Sequence, residues 1–573
     1  MSLLVFFLFE AIFHTGKIQE ERKMKDEEKG KEKNHLLFLT VNSSYSHSSL
    51  ALPLLHTAVK EFDNVWQWEK MEIVTEEDPA QTASFIAKKS PDLLCTTLYL
   101  FNHNAVMEIL QRVHLLAPHI HIAAGGPEIS VENASFLLKK YPFLSTVFVG
   151  EGETLLGDFL REFPVRKREK RIIPETGRGL YADWENSPYA CKDPFFAFDK
   201  PFVQLETSRG CPMNCSYCTS SGIPTRYRRM EQIKEELTLL QEKGVREVRI
   251  LDRTFNLPEK RGKELLELFS TFPSMRFHLE FHPQFTGKDL QETLKKMPPG
   301  LLHIEAGIQS FDEKVQNAIG RKSNSGKVKE NLAFLVSLSH LFEVHTDLIA
   351  GLPEQTEESL TEDIIALMQI APAEIQLEVL KILPGTRLEK ETEKYGIIHG
   401  INPPYDVMKS ASMSTESILK MRLYSRLLDL FYNHKILHEF MVQAVKSDRE
   451  FLLKTANKLQ KENRQINTLL DLKKRFSFLF SLLEEENNFE SRFFLVCAWL
   501  DAGFPPSALS GTLLPEIVSE IPPDAMLLYG NDACREKRET KFYRIPGQKE
   551  ERFYAFNRAF SMNLPSCVWK RKY

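Results

Sequence analysis

Six short apolar runs alternate with helix-length segments between residues 202 and 382, and this alternation limits the possible folds more than any other feature. The runs span 202–206, 245–252, 276–281, 301–308, 343–349 and 374–382, and helical segments such as 230–243, 259–269 and 357–370 follow them. Strands that are joined by helices lie parallel in one sheet. The pattern therefore predicts six strand–helix units around a parallel sheet.

Polar residues recur at every second position on the later strands of this predicted sheet. They are His278, Glu280 and His282 on the third strand, His303, Glu305, Gly307 and Gln309 on the fourth, and Gln376 and Glu378 on the sixth. Side chains two positions apart on a strand share one face. Because buried polar groups are costly without partners, we expect these residues to line a polar interior that holds a ligand.

A second block of alternation covers residues 35–163. Apolar runs at 36–41, 71–75, 93–98, 119–124 and 146–149 are separated by helical segments at 50–62, 105–116 and 128–141. This predicts a Rossmann-like domain whose parallel sheet is covered on both faces. Ligands of such sheets bind beyond the carboxyl ends of the strands. The loops expected there contain Ser44, His47, Thr97, Gly125, Gly126, Gly150, Glu151 and Gly152.

Three cysteines, Cys211, Cys215 and Cys218, lie within eight residues, directly after the first of the six runs. A short loop with an odd number of thiols favours a metal centre over a disulfide. Structural zinc normally takes four ligands in two separated pairs, and no second pair follows here. Iron–sulfur clusters bind thiolates, and three of them would leave one iron of a [4Fe–4S] cluster open. The alternatives are a chance group of cysteines or an ordinary electron-transfer site.

The spacing C-x3-C-x2-C, with Tyr217 before the last cysteine, resembles the signature of the radical S-adenosylmethionine (SAM) superfamily. The Rossmann-like domain before it resembles the cobalamin-binding subfamily, and the resemblance covers about residues 35–395. It implies a partial (βα)6 barrel, a [4Fe–4S] cluster whose open iron binds SAM, and bound cobalamin. It also implies cleavage of SAM to a 5′-deoxyadenosyl radical and, most often in this subfamily, methyl transfer to an unactivated carbon. Radical rearrangement, cyclisation, methylthiolation and a non-catalytic cobalamin or redox sensor are the alternatives.

The resemblance also implies roles for single residues in the barrel. Tyr217 would support the SAM adenine, and Glu305, Gln309 and Gly351 lie in segments similar to those that contact SAM. The family's Gly-Gly-Glu after the second strand is absent, so Asp252 would take its place at the SAM amine. Asp252 would otherwise cap the following helix.

In the Rossmann-like domain the resemblance implies cobalamin contacts from Ser44, Thr97, Gly125, Gly126, Gly150, Glu151 and Gly152. The D-x-H-x-x-G motif of proteins that bind cobalamin through a histidine is incomplete here. The sequence Tyr45-Ser-His47-Ser-Ser-Leu50 keeps the histidine and lacks the aspartate and the glycine. A ligating histidine normally has a partner for its other ring nitrogen. We therefore expect that His47 is not the lower cobalt ligand.

Composition sets the remaining expectations. A chain of 573 residues is too long to fold around a single hydrophobic core. The net charge of −4 gives no indication of a nucleic-acid or anionic-membrane partner. The apolar run 3–9 is too short to span a membrane. Cys95, Cys191, Cys497, Cys534 and Cys567 have no ligand spacing. A labile cluster needs a reducing compartment, so the expected location is the cytoplasm, with a reducing partner such as flavodoxin or ferredoxin. Whether the substrate is a small molecule or a peptide stays open.

The ends of the chain differ from the two α/β blocks. Residues 1–34 are expected to form a disordered leader, because the segment 17–33 is a charged run with few apolar residues. Proline and glycine in 164–200 indicate a linker. Residues 396–573 are expected to form a mainly helical domain that controls access to the barrel or selects the substrate. Its predicted elements are a long amphipathic helix at 415–445, helices at 448–472, 474–484 and 491–502, and a hairpin of 540–545 with 552–556.

Overall fold

The structure is a computed structural model that describes residues 33–166, 169–174, 180–187, 189–462, 465–485, 488–509, 514–529, 540–547, 550–557 and 567–572. The predicted leader lies outside these residues except for its end, and Asn34 already begins the first strand. Cys534 also lies outside the described residues. The chain divides into two compact units, Met1–Lys200 and Pro201–Tyr573, which we call the first and second units.

The first unit contains the predicted parallel sheet. Its strands are β1 (Asn34–Asn42), β2 (Trp66–Val74), β3 (Leu93–Thr97), β4 (His121–Gly125), β5 (Thr146–Phe148) and β6 (Arg171–Ile173), in the order β2-β1-β3-β4-β5-β6. The helices are α1 (Ala51–Ala58), α2 (Pro79–Lys89), α3 (His103–Leu116), α4 (Ala134–Lys140) and α5 (Gly152–Arg166). All strand pairs are parallel, which confirms the predicted fold class. Strand β6 lies within the predicted linker, which therefore contributes to the sheet.

The central strand β1 is apolar at consecutive positions because both faces of the sheet are covered. Leu37 and Leu39 belong to one buried cluster, whereas Leu36 and Phe38 belong to another. Alternate residues of a strand point to opposite faces, so the two clusters are the cores on the two sides of the sheet. The strand order reverses between β1 and β3, and this is where doubly wound sheets open a crevice for ligands.

The second unit begins with the six predicted strands. They are β7 (Val203–Leu205), β10 (Glu247–Ile250), β11 (Arg276–Phe281), β12 (Leu302–Gln309), β13 (Glu343–Ala350) and β14 (Glu374–Val379), with the small antiparallel pair β8 (Ser208–Arg209) and β9 (Arg226–Tyr227) after the first of them. Each of the six pairs in parallel with the next along the chain. The helices between them are α6 (Met230–Glu242), α7 (Glu259–Phe269), α8 (Lys288–Leu294), α9 (Glu313–Ala318), α10 (Ser325–Ser337) and α11 (Glu357–Ile370). A sequential six-stranded parallel sheet with helical crossovers is the predicted partial barrel.

The period-two polar pattern is confirmed on β11 and β12. Buried and half-buried residues alternate strictly along both strands, with Phe277 and Ile304 fully buried and His278 and Glu305 half-buried. The apolar positions therefore supply the core, and the polar positions share the other face, which we call the lumen face.

After β14 the chain is helical and then forms a second sheet. The elements are α12 (Arg387–Lys390), β15 (Ile398–His399), β16 (Val407–Lys409), α13 (Thr415–Leu427), α14 (His438–Ser447), α15 (Phe451–Lys461), α16 (Leu472–Glu485), α17 (Phe489–Asp501), β17 (Glu516–Val518), β18 (Met526–Tyr529), β19 (Thr540–Ile545), β20 (Glu550–Asn557) and β21 (Cys567–Lys572). Strands β17 to β21 form an antiparallel sheet in the order β17-β19-β20-β21-β18. The predicted hairpin is confirmed as β19 and β20 and is part of this larger sheet.

The predicted helix 415–445 is wrong in its continuity. It consists of α13, a π-helical turn at Leu428–Tyr432 and α14, with a break after Asn433. The side chain of Asn433 accepts a hydrogen bond from the Ile375 N–H (2.9 Å) and donates to the Ile375 carbonyl (3.0 Å). Asn433 thus pairs with the outer edge of β14 as a neighbouring strand would, and this pairing draws the chain out of the helix. None of the described helices is long and apolar enough to cross a bilayer.

Candidate active site

The cysteine loop follows β7 at the carboxyl edge of the second unit's parallel sheet, and its own backbone holds it together. The Cys211 N–H donates to the Ile223 carbonyl (3.2 Å), the Cys218 N–H to the Cys215 carbonyl (3.2 Å) and the Gly222 N–H to Met213 (3.4 Å). Cys211 and Cys215 are buried, whereas Cys218 is partly exposed. The loop therefore presents three thiols from a closed turn.

Two later segments of the chain fix the middle of this loop. The Ser216 N–H donates to the Ile319 carbonyl (2.8 Å), and the Ser216 carbonyl accepts from the Leu388 N–H (2.8 Å). Gly320 has a positive φ of +73°, and a Cβ atom there would lie 2.7 Å from the Asn214 carbonyl oxygen. Only a glycine permits this approach, so the segment after α9 is built to lie against the loop.

Side chains that the sequence analysis missed lie beside two of the sulfurs. Arg321 Nη1 is 3.8 Å from Cys215 Sγ, and Thr254 Oγ1 is 3.6 Å from Cys211 Sγ. Burial raises the pKa of the Cys218 thiol, and the charges of the other two cysteines raise it further. No signal in the sequence indicates Arg321, because an arginine just after a short helix is normally a solvent-exposed charge.

The donor set fits a [4Fe–4S] cluster. Within the described residues no three His, Cys, Asp or Glu side chains are arranged around a point where a single metal ion would bind. A four-iron cluster does not need that arrangement, because each thiolate binds a different iron. Three thiols on one closed loop, one of them beside the guanidinium donor of Arg321, are ligands of the right kind. Cys211, Cys215 and Cys218 would hold the cluster.

Tyr217 is half-buried between these cysteines. Burial raises the pKa of its hydroxyl group, and the nearby Arg321 charge opposes this. The residue therefore stays a neutral phenol beside the loop. Its contact with the SAM adenine stays a prediction.

Asp252 has a structural role that the sequence analysis did not foresee. Its carboxylate is buried and accepts hydrogen bonds from the Thr207 N–H (2.8 Å), the Ser208 N–H (2.9 Å) and the Thr207 hydroxyl (2.5 Å). It thereby joins the end of β10 to the chain that enters the cysteine loop. The alternative helix-cap role is wrong, because α7 starts at Glu259 and its cap residue is Pro258. The contact of Asp252 with the SAM amine stays a prediction. The SAM amine would be a fourth donor to this carboxylate, which already accepts three hydrogen bonds.

The lumen face carries paired acids and histidines. His278 Nε2 lies 3.0 Å from Glu305 Oε2, and His345 Nε2 lies 3.1 Å from Asp347 Oδ1. The hydrogen bond from His278 lowers the pKa of Glu305. Burial lowers the pKa of His303 to about 4, so this residue is a neutral imidazole at pH 7. This half of the lumen can both donate and accept hydrogen bonds.

Glu280 lies on the same face and, among the residues that the structure describes, has no charged partner at direct hydrogen-bond distance. Its nearest charge partner is Arg253, at 3.8 Å. Burial raises the pKa of Glu280 to about 7, and the neighbouring carboxylates Glu305, Asp347 and Asp252 add to the shift. Glu280 therefore titrates near neutrality.

Gln309 and Gly351 mark the carboxyl ends of β12 and β13. Gln309 has a positive φ of +68° beside a register irregularity, and its amide nitrogen would lie 2.9 Å from a Cβ at Gly307. A non-glycine residue in this region carries strain that functional sites often hold. Gly351 is buried, with φ +89°, and a Cβ there would meet Ile418 at 3.1 Å and Val407 at 3.3 Å. Packing explains this glycine, and its contact with SAM stays a prediction.

In the first unit, the loop after β1 holds His47 by a hydroxyl group. Ser44 Oγ lies 2.8 Å from His47 Nδ1, and the Asn42 side chain donates to the His47 carbonyl (3.0 Å). The serine thus occupies the place at the ring nitrogen where an aspartate was expected. A neutral hydroxyl orients an imidazole but adds no charge to it.

Asn102, which the sequence analysis missed, ties the ends of β1 and β3 together. Its Nδ2 donates to the Val41 carbonyl (3.0 Å) and to the Thr97 carbonyl (3.1 Å). Thr97 is buried at this point. The two strand ends that border the crevice therefore hold a fixed spacing.

The glycines at this edge have close neighbours within the first unit. A Cβ at Gly126 (φ +107°) would lie 2.6 Å from the Leu98 carbonyl oxygen, and one at Gly150 (φ +94°) 2.4 Å from that of Leu180. For Gly125 and Gly152 the nearest atoms would be in Phe148 (3.4 Å) and Leu55 (2.7 Å). Glu151 Oε2 accepts from the Ala182 N–H (2.8 Å). Packing within the unit accounts for these residues, and their contacts with cobalamin stay predictions.

Two family models match the second unit. Residues 205–366, which contain the cysteine loop and the strands from β8 to β13, match the model of the radical SAM superfamily. Residues 393–496 match the model of a protein family of unknown function, DUF4080. The cysteine loop therefore lies within the segment that matches the radical SAM model.

Characterised and uncharacterised methyltransferases are among the proteins similar to this chain. An uncharacterised methyltransferase of Pyrococcus horikoshii is 26% identical over 339 residues, which are 53% of this chain and 70% of that protein. The cobalamin-dependent radical SAM methyltransferase TokK of Streptomyces tokunonensis is 25% identical over 352 residues, 54% of this chain and 50% of TokK. The chain thus spans half the length of TokK.

A solved structure shares the fold. The radical SAM methyltransferase TsrM from Kitasatospora setae, with cobalamin and a [4Fe–4S] cluster bound, has a TM-score of 0.52 and 15% identity, over 65% of this chain and 82% of TsrM. At this identity the likeness shows the fold alone.

The first prediction tests whether Asp252 supports the loop. Asp252→Ala leaves the buried N–H groups of Thr207 and Ser208 without an acceptor, which costs about 1–3 kcal/mol. We expect a lower free energy of unfolding in urea without any SAM present. Thr207→Val, which removes only the hydroxyl contact, should lower it less. Unchanged stability together with weaker SAM binding would instead show that Asp252 contacts the ligand.

The second prediction concerns pH. The pKa of Glu280 is raised from 4.5 to about 7, so wild type loses stability as the pH rises through this window, because the unfolded chain ionises first. Glu280→Gln should therefore gain stability relative to wild type between pH 4.5 and pH 8. The side chain is 33% exposed, and solvent screening limits the size of this gain.

The matched control is Glu357→Gln. The hydrogen bond with Lys420 lowers the pKa of Glu357, so its stabilisation is present at high pH and is lost as the pH falls. This variant should lose stability relative to wild type as the pH rises toward about 4.5, and the difference should then stay nearly constant up to pH 8. The same sign for both variants in urea unfolding series would contradict the assignment of Glu280.

Proposed function

We propose that this chain, whose residues 205–366 carry a radical SAM domain, is a cobalamin-dependent radical SAM methyltransferase. The observation that carries the proposal is the closed three-cysteine loop at the carboxyl edge of a six-stranded parallel sheet. The parallel sheet of the first unit, in the order of flavodoxin-like folds, supports a second cofactor site.

The cysteine loop would hold the cluster and leave one of its irons for SAM. When bound, the cluster supplies the electron that cleaves SAM, and cobalamin supplies a carrier for the methyl group. The chain's own residues have two other roles. Cys211, Cys215 and Cys218 would bind the cluster. The lumen face would position SAM and the substrate. A lumen with His278, Glu305, His345 and Asp347 suits ligands that form several hydrogen bonds.

Methyl transfer rests on the relatives as well as on the site. The chain covers 50% of TokK, so the activity of that whole protein does not pass to this chain by similarity alone. Support comes from the two-unit arrangement, in which a Rossmann-like sheet precedes the radical SAM domain. The crevice between the ends of β1 and β3, bordered by Ser44, His47 and Thr97, is the proposed cobalamin site.

The cellular setting follows from the cluster. Thiolate-bound iron persists in a reducing compartment, so we place the protein in the cytoplasm. Reduction of the cluster requires a partner such as flavodoxin or ferredoxin. The substrate is a small molecule or a peptide.

The third prediction tests the cluster. Replacing Cys211, Cys215 and Cys218 with Ala should abolish iron binding and the formation of 5′-deoxyadenosine or S-adenosylhomocysteine from SAM under reducing, anaerobic conditions. Iron and sulfide analysis, with chromatography of the SAM products, measures both. A triple variant with wild-type iron content would refute the proposed site.

Cys95, Cys191 and Cys497 are matched controls, because all three are buried free thiols outside the C-x3-C-x2-C motif. Burial raises the pKa of Cys95 and of Cys497 to about 12, so neither is a thiolate at neutral pH. Their Ala variants should keep the iron content of wild type.

The fourth prediction tests the role of His47. Wild type and His47→Ala should bind the same amount of hydroxocobalamin, because Ser44 lacks the charge that an aspartate would give the imidazole. Paramagnetic resonance of the reduced Co(II) form should show no nitrogen hyperfine splitting from the protein in either sample. Splitting in wild type that disappears in the variant would identify His47 as the lower ligand. Failure of both to bind cobalamin would remove the methyl carrier from the proposal.

A further inference from the structure

Arg321 is a buried cation beside the cysteine loop. Its side chain is 9% exposed, and its guanidinium group donates from Nη1 toward Cys215 Sγ (3.8 Å) and from Nη2 to the Gly307 carbonyl (2.6 Å). The backbone at and just before Arg321 is fixed as well, since the Arg321 N–H donates to the Gln316 carbonyl and the Ile319 carbonyl accepts from the Ser216 N–H. The guanidinium position is therefore set by β12 and by the loop together.

Arg321 has no carboxylate partner within the described residues. The groups that act on its charge are Tyr217 and Cys215, both in the cysteine loop. A buried cation without a counter-charge is strongly destabilising. The three thiolates of Cys211, Cys215 and Cys218, with the cluster they would hold, supply the missing negative charge.

We propose that Arg321 is a positioning residue that fixes Cys215 as a cluster ligand and raises the reduction potential of the cluster. The inference rests on the proposed function, because it requires the cluster. Reduction adds one electron from the reducing partner to the cluster, with no bond formed or broken. A fixed positive charge at a ligand sulfur stabilises the more negative, reduced form more than the oxidised one.

The geometry distinguishes Arg321 from Arg387, a second arginine that contacts this loop. Arg387 Nη2 lies 3.4 Å from the Asn214 carbonyl oxygen, and its side chain is 49% exposed. A solvated guanidinium bound to a backbone carbonyl has its charge screened by water. Arg387, at the start of α12, is therefore a matched control that contacts the same loop through the same chemical group and has no sulfur contact.

The fifth prediction uses Arg321→Gln, Arg321→Lys and Arg387→Gln in the full chain, reconstituted anaerobically with iron and sulfide and without SAM or cobalamin. The midpoint potential is measured by potentiometric titration with dithionite, followed by paramagnetic resonance of the reduced cluster. Arg321→Gln keeps a donor and loses the charge, so its equilibrium constant for reduction should fall about tenfold, a shift of about 59 mV for one electron. The equilibrium constants for reduction of Arg321→Lys and Arg387→Gln should stay within about threefold of the wild-type value, since both variants keep a cation at position 321.

Full iron content in Arg321→Gln with an unchanged potential would overturn the inference. If Arg321→Gln fails to hold iron, Arg321→Lys decides: a wild-type potential supports the role of the charge, and loss of iron or a lowered potential refutes it. A tenfold fall in the equilibrium constant for cluster reduction in Arg387→Gln would refute the role of the sulfur contact. Wild type without any cluster would instead refute the proposed function, and the inference with it.

Discussion

The carboxylate of Asp252 determines where the cysteine loop can start. It accepts from the N–H groups of Thr207 and Ser208, so the chain that leaves β7 is bound to the end of β10 before the first cysteine. The later contacts of the loop, from Ile319 and Leu388 to Ser216, act on a segment whose origin is already fixed. A buried acceptor without these donors would be costly, and the donors without it equally so.

The need of buried polar groups for hydrogen-bonding partners also determines the arrangement of the lumen face. Histidines and carboxylates occur in pairs, His278 with Glu305 across the neighbouring strands β11 and β12, and His345 with Asp347 along β13. Glu280 is the exception, since only the loosely placed Arg253 faces it. In the first unit Asn102 plays a similar part, because one amide group satisfies two strand-end carbonyls beside the crevice.

Local patterns in the sequence predicted much of the fold and drew attention to the three cysteines of the loop. Strand spacing, the polar period on β11 and β12, and the C-x3-C-x2-C motif are all visible within a few residues. The break at Asn433 was not predictable, because the partner of Asn433 is Ile375, 58 positions away. Arg321 was missed for the same reason, since Cys215 is 106 positions away. The structural role of Asp252 was missed, because its backbone donors leave no mark in the sequence. The antiparallel sheet of β17 to β21 assembles short segments whose pairing no local period reveals.

The pairing of Asn433 with Ile375 has a consequence for the outer edge of the second unit's parallel sheet. Strand β14 is the last strand of an open sheet, and its outer edge would otherwise expose free N–H and C=O groups, which invite pairing with another chain. One asparagine side chain, at 2.9 and 3.0 Å, covers one residue of that edge and the helices around it cover more. By covering this edge, the segment after residue 395 also protects the sheet from pairing with another copy of the chain. A chain cut after β14 would leave that edge unprotected, and we expect its solubility to fall before its cofactor binding is affected.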